Sequence, residues 1–217
     1  MFDDSLKIYT ERLIERIGSN HRELFVPVKV EKYAKPGNCF LNVQQKVNDD
    51  GGSIIYGWSV LNGDFLMEAE RHAVWKSPND ELVDITPSTQ NLDFTFFIPQ
   101  ELNYIGQFID NVRINKTENE VVDHWIIILS LRSKIFNTAS RKGDYIEIPK
   151  HMHTLYYRYE NLNNCYYSFL TYGGGAATNC FCNSSKPYSR CHSLTIQKDC
   201  QRDSKRIDYL QKKYTLK

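Results

Sequence analysis

The stretch PGNCFLNVQQKVNDDGGSIIYGWSV, residues 36–60, decides the fold. Pro36-Gly37-Asn38 is a turn, since proline presets one backbone angle and glycine and asparagine tolerate the other conformations a reversal needs. From Cys39 onward the apolar residues Phe40, Val43 and Val47 return at intervals of three and four, the period of one helical face. Asn38 stands where an N-cap side chain would satisfy the first free amides. Asp49-Asp50-Gly51-Gly52 stops the helix, and β-branched and aromatic residues take over from Ser53. A helix that opens at Cys39 therefore runs through a tight turn into a strand.

Downstream, residues 65–75 and 81–85 are two more extended runs, joined through Asn62-Gly63-Asp64 and Pro78-Asn79-Asp80, which makes an antiparallel meander. Upstream, Leu6, Tyr9, Leu13, Ile14 and Ile17 share one face of a short helix that Gly18-Ser19-Asn20 ends. The expected class is α+β, a helix packed on an antiparallel sheet. Residues 95–99, 125–131, 145–149 and 153–159 read as strands or short apolar elements, without an order in a sheet. Residues 161–164 and 171–179, the latter with Gly173-Gly174-Gly175, read as a small-residue linker. The expected domains are therefore 1–170 and 171–217, and the second ends in a short exposed helix over residues 203–214.

Twenty-seven basic against twenty-six acidic side chains leave a net charge of +1, so no global field steers the chain to nucleic acid or to an anionic membrane. With 41% hydrophobic residues the 217-residue chain can bury a real core. The segment MFDDSLKIYTERLIERIG is charged throughout, lacks the apolar centre of a secretory signal, and no twenty-residue apolar span follows. The expectation is a cytoplasmic protein, where six cysteines serve metals or catalysis in preference to disulfides.

Three of those cysteines and a histidine fall within thirteen residues, as Cys180-Phe-Cys182 and Cys191-His192. A tetrahedral ion needs four soft or borderline donors brought together by a short reversal, and two ligand pairs flanking one turn supply them. Asn183-Ser184-Ser185 suits that turn, and its amides can hydrogen-bond the thiolates. One structural zinc ion held by Cys180, Cys182, Cys191 and His192 is expected, with Cys200 as a less well-spaced substitute. A saturated four-ligand site leaves no open position for chemistry. The segment looks too small to bury a core of its own, so metal ligation should supply much of its stability. The pattern resembles the SEC-C motif, in which Asn183 and Ser185 stand where glycines are usual. The resemblance implies a module that recruits protein partners.

The central block carries a second constellation: Cys39 opening a helix, His72 inside one predicted strand and Asp84 on the next. A helix N-terminus and a neighbouring imidazolium both stabilise a thiolate, and a carboxylate beside the imidazole fixes its tautomer. Chain order Cys, His, Asp resembles the transglutaminase-like branch of papain-like cysteine enzymes. Closer still is the resemblance to a set of uncharacterised bacterial proteins joining Cys-x-x-Asn-Val, His-Ala-Val-Trp and Asp-Val-Thr-Pro patterns to a SEC-C tail; here the last reads Asp84-Ile85-Thr86-Pro87. This implies a cysteine hydrolase or acyltransferase acting on an amide, ester or peptide bond, with Cys39, His72 and Asp84 as the catalytic residues. The alternative is a non-catalytic adaptor in which the same core presents a binding groove and the zinc module carries the interaction; a third is a structural domain with accidental residue types.

The Cys39 amide supplies one oxyanion donor, with Asn38, Asn42 and Trp58 as candidates by type for the second. Glu68 and Glu70 share a strand face with His72, and Arg71 on the opposite face reads as a surface residue. His151-Met-His153, Asp123-His124-Trp125 and the tyrosine-rich 156–159 and 166–167 read as structural material.

Overall fold

The computed structural model describes residues 4–88, 92–102, 109–142 and 145–215. The chain forms two compact units, Met1–Lys116 and Thr117–Lys217. The division falls at residues 116–117 and not near 170, and residues 161–164, expected in a linker, lie inside a long helix, His153–Thr171.

Unit 1 contains α1 (Asp4–Ile17), β1 (Leu24–Pro27), α2 (Cys39–Asp50), β2 (Ser53–Asn62), β3 (Leu66–Lys76), β4 (Leu82–Val83), β5 (Phe94–Pro99) and β6 (Val112–Asn115). One antiparallel sheet has the order β1-β5-β2-β3-β4, with β6 beside β3. Helices α1 and α2 cover the sheet face that carries the odd-numbered β3 residues. Leu13 packs with Trp58, Val60, Met67 and Ala69 in one cluster, and Val43 packs with Ala73, Val83 and Ile85 in the next. Burying each such aliphatic side chain contributes about 1.5–3 kcal/mol. The even-numbered face closes over Val26, Val74 and Phe97.

Two features of the sheet position the site. First, it curls until its ends meet: after β4, the Asp84 amide donates to the Pro27 carbonyl (2.9 Å) and the Asp84 carbonyl accepts from the Lys29 amide (2.9 Å). Second, β6 pairs with β3 at Leu66–Ala69 and β4 pairs at Trp75 and Lys76, so no described strand covers that edge of β3 between them. Helix α2 begins at this gap.

Unit 2 contains α3 (Glu120–Phe136), β7 (Ser140–Lys142), β8 (Tyr145–Glu147), α4 (His153–Thr171) and α5 (Ile196–Thr215). Residues 125–131 and 153–159 are therefore helical. Strands or short apolar elements were the expectation, but the buried Val121, His124, Ile128, Leu131 and Ile135 of α3 recur at helical spacing, and the Asn119 side chain caps the helix by accepting from the Val121 amide (3.1 Å). In α4 the rows of tyrosine lie on one helix, with Leu155, Tyr159, Tyr166 and Phe169 inward. Helix α5 is longer than expected, and Ile207 on it is fully buried. Among the described residues no helix is long and apolar enough to cross a membrane.

Candidate functional site

Cys39 is the first residue of α2 and is buried; its Sγ reaches the β3 edge that no described strand pairs, 4.0 Å from the Arg71 carbonyl. The helix start owes nothing to a side-chain cap from Asn38, contrary to expectation. Asn42, one turn on, anchors the preceding loop: its side chain accepts from the Lys35 amide (3.1 Å) and donates to the Lys35 carbonyl (2.9 Å) and the Thr86 hydroxyl (3.2 Å). Asn42 is thus spent on structure, and so is Trp58, whose indole donates to Gln100 Oε1 (2.7 Å). Neither serves as the second oxyanion donor.

His72 sits opposite Gly57 in the β2–β3 register. A Cβ at Gly57 would come within 2.3 Å of the Ile98 carbonyl and 2.4 Å of the Phe97 ring, so glycine is what lets β5 close here. Phe97 in turn sets its ring at 69° to the His72 imidazole, centroids 6.5 Å apart. The imidazole Nε2 meets Asp84 Oδ2 at 2.9 Å. Burial pushes the His72 pKa down, but hydrogen bonds to Asp84 and Cys39 and the charges of both outweigh it and hold it up at about 10. His72 and Asp84 are thus hydrogen-bonded, and Cys39 at the start of α2 lies against the strand that carries His72.

Asp84 is buried. Burial disfavours its ionised form, yet the hydrogen bonds from His72, the Thr95 hydroxyl and the Thr86 amide (3.0 Å) hold its pKa below the ordinary carboxylate value. Thr95 was not singled out from the sequence. It lies inside a plain F-T-F-F strand, and only the curl of the sheet brings β5 against Asp84.

Arg71 corrects a second expectation: it is buried, with its guanidinium 4.8 Å from the Trp58 ring centroid and Nη1 donating to Gln100 Oε1 (3.0 Å). Glu68 is spoken for by Arg113 (2.7 Å) and Asn111 (2.8 Å), whereas Glu70 is exposed.

In unit 2, one donor atom from each of Cys180, Cys182, Cys191 and His192 lies within 4.8 Å of every other, and the cluster can hold a metal ion. Cys180 Sγ is 3.1 Å from His192 Nδ1, Cys182 Sγ is 3.4 Å from Cys191 Sγ, and Cys191 Sγ is 3.6 Å from His192 Nδ1. Donors at the corners of a tetrahedron with bonds of about 2.3 Å to sulfur stand about 3.8 Å apart, whereas a disulfide needs about 2.05 Å. The spacing fits an ion, and all six cysteines are free. The reversal works through Asn183 (φ 59°) and Ser185 (φ 56°), the two positions where glycine is usual in the pattern the sequence resembles. It closes with the Cys180 amide donating to the Lys186 carbonyl (2.8 Å).

This segment is better anchored than its length suggested. Tyr188 is fully buried, its hydroxyl meets His124 Nδ1 (2.7 Å) and Tyr166 Oη (2.9 Å), and Phe181 packs on Tyr166 and Phe169. Burial pushes the Cys180 thiol up to about 11, while the Ser184 and Cys191 side chains hold Cys182 down to about 7. A metal must displace any thiol protons, so its affinity falls in acid. Cys200 stands apart from the cluster, buried and accepting from the Tyr159 hydroxyl (3.8 Å). His151 and His153 form no metal pair: the first stacks on Tyr214 (centroids 4.1 Å apart) and the second bonds the Ile148 carbonyl (2.9 Å).

Compared with known proteins, the chain shows no match to a family, to a curated protein or to a solved structure.

Proposed function

We propose that unit 1 is a cysteine-dependent hydrolase or acyltransferase of papain-like or transglutaminase-like type, acting on an amide, ester or peptide bond. The observation that carries the reading is the meeting of three groups at one edge of β3: His72 Nε2 bonds Asp84 Oδ2 (2.9 Å), and Cys39 Sγ lies 4.0 Å from the carbonyl of Arg71, the residue before His72. Cys39 Sγ attacks the carbonyl carbon, and its proton resides on His72. The C–S bond forms as the carbonyl π pair moves to oxygen, where the Cys39 amide at the start of α2 donates to the oxyanion. Collapse expels the amine or alcohol, which takes the proton from His72 and leaves a thioester. Water, or an amine in a transferase, then attacks the thioester and returns the thiol. Asp84 keeps the imidazole in one tautomer and balances the imidazolium.

We read the cluster of unit 2 as a structural zinc site, on the ground that three thiolates and one imidazole form a donor set zinc favours and leave no open position. Its role in this reading is to recruit a protein partner in the cytoplasm, where free thiols persist.

The test of the activity is acyl-enzyme trapping. Incubation with activated esters should add one acyl group at Cys39, located by peptide mass spectrometry, and Cys39→Ala should abolish it. Acylation spread over surface lysines, with Cys39 unmodified, would remove the enzyme reading.

A further inference from the structure

We propose that Thr95 is a positioning residue of this site, its hydroxyl holding the Asp84 carboxylate ionised and turned so that Oδ2 meets His72. The inference rests on the acyl-transfer reading above. Asp84 Oδ2 accepts from two donors, His72 Nε2 and Thr95 Oγ1, while Oδ1 accepts from the Thr86 amide. Remove the hydroxyl, and the carboxylate falls from three donors to two, with Oδ2 held by His72 alone and Oδ1 by the Thr86 amide. In a buried setting the neutral acid then gains ground.

The geometry is fixed from outside the site. Thr95 is buried and pairs with Val26 in the β1–β5 register, and its β-branched side chain has few rotamers to choose from. Two residues on, Phe97 presses its ring against His72 from the same strand face. Strand β5 thus braces both partners, the carboxylate by a hydrogen bond and the imidazole by packing. The groups that act on Asp84, apart from its burial, are His72 from β3, Thr95 from β5 and the Thr86 amide; Cys39 from α2 acts through His72.

The consequence is a low-pH limit. His72 balances its charge against Asp84 while it holds the Cys39 proton, and protonation of Asp84 removes that balance. Thr95 therefore sets how far into acid the site works.

The experiment compares native protein with Thr95→Val, Thr95→Ala and Thr95→Ser. Two quantities are read: the Asp84 carboxyl 13C titration by NMR, and the acid limb of Cys39 alkylation by iodoacetamide. Thr95→Val and Thr95→Ala should each raise the Asp84 inflection by about one pH unit. At a pH on that limb, alkylation should fall by about tenfold. Thr95→Ser should restore both. Two variants lacking the hydroxyl keep the test alive where one fails to fold. An Asp84 inflection unmoved in a folded variant without the hydroxyl would overturn the proposal, whatever happens to stability. If native alkylation proves indifferent to His72→Ala, the acyl-transfer reading fails on its own, and the carboxyl titration still decides the role of Thr95.

Discussion

Replacing Asp84 by asparagine keeps the volume and removes the charge. The carboxylate accepts three hydrogen bonds, from His72, Thr95 and the Thr86 amide, in a buried position. Bonds to a charged acceptor contribute about 1.5–3 kcal/mol each, and breaking a buried pair by removing one partner costs about 3–5 kcal/mol. The amide oxygen still serves one donor, so the expected loss for Asp84→Asn is about 3 kcal/mol. The pH dependence has a definite sign. The His72 pKa lies above its ordinary 6.5, at about 10, so its contribution is complete below 6.5 and is lost as pH rises through about 10. The Asp84 pKa lies below its ordinary 3.8, so that contribution is present above 3.8 and is lost only as pH falls through the lowered value. The stability difference between native protein and variant should be widest between about pH 4 and 6.5 and should close toward about pH 10. Urea denaturation, followed on resonances of unit 1 across that range, measures it. The His72 ring should titrate at or below its ordinary value in the variant, since burial then acts with less opposition. A loss under about 0.5 kcal/mol that is flat with pH, with His72 still titrating near 10, would refute the reasoning.

Other consequences are simpler. Protein purified without chelator should carry about one zinc per chain by elemental analysis, and Cys182→Ser should lower that ratio, with release of metal loosening the segment around Tyr188 while the helices persist. Asn183→Gly and Ser185→Gly should each raise the stability of unit 2 by about 1 kcal/mol in denaturant titrations, because both residues hold a left-handed backbone that a side chain disfavours. Gly57→Ala should cost several kcal/mol, on the order of the larger overpacking penalties, because the new methyl meets the Ile98 carbonyl and the Phe97 ring; a thermal shift of a degree or less would speak against the close packing of β5 on β2.

The helix at Cys39 and the meander after it were legible because their signals are local: spacing of three and four, then alternation, with glycine between. The pairing of His72 with Asp84 could be placed because the two lie on successive extended runs, and a short turn brings such runs together. Thr95 could not be placed, since its contact with Asp84 depends on a sheet curling until β1 meets the end of β4, which no local pattern encodes. Arg71 was misjudged for a related reason. Strand parity gave its face correctly, but not that this face is covered by α1 and α2. Helix α3 was misread because its run of valine and isoleucine suits a strand as well as a buried helix, and the deciding cap, Asn119, lies outside the apolar run. The cluster of Cys180, Cys182, Cys191 and His192 came straight from spacing; its aromatic support, Tyr188 on Tyr166 and His124, joins residues 22 and 64 positions apart.

The central claim is that Cys39 is activated by His72, and the most direct measurement is the alkylation rate of Cys39 by iodoacetamide at about pH 6, resolved by mass spectrometry, in native protein and in His72→Ala. At that pH an ordinary thiol is well under about 1% thiolate. An activated pair predicts native alkylation at least about tenfold faster than in the variant, with the gap closing as the solution is made alkaline. Equal, slow alkylation in both proteins would contradict the account and leave Cys39 a buried structural residue.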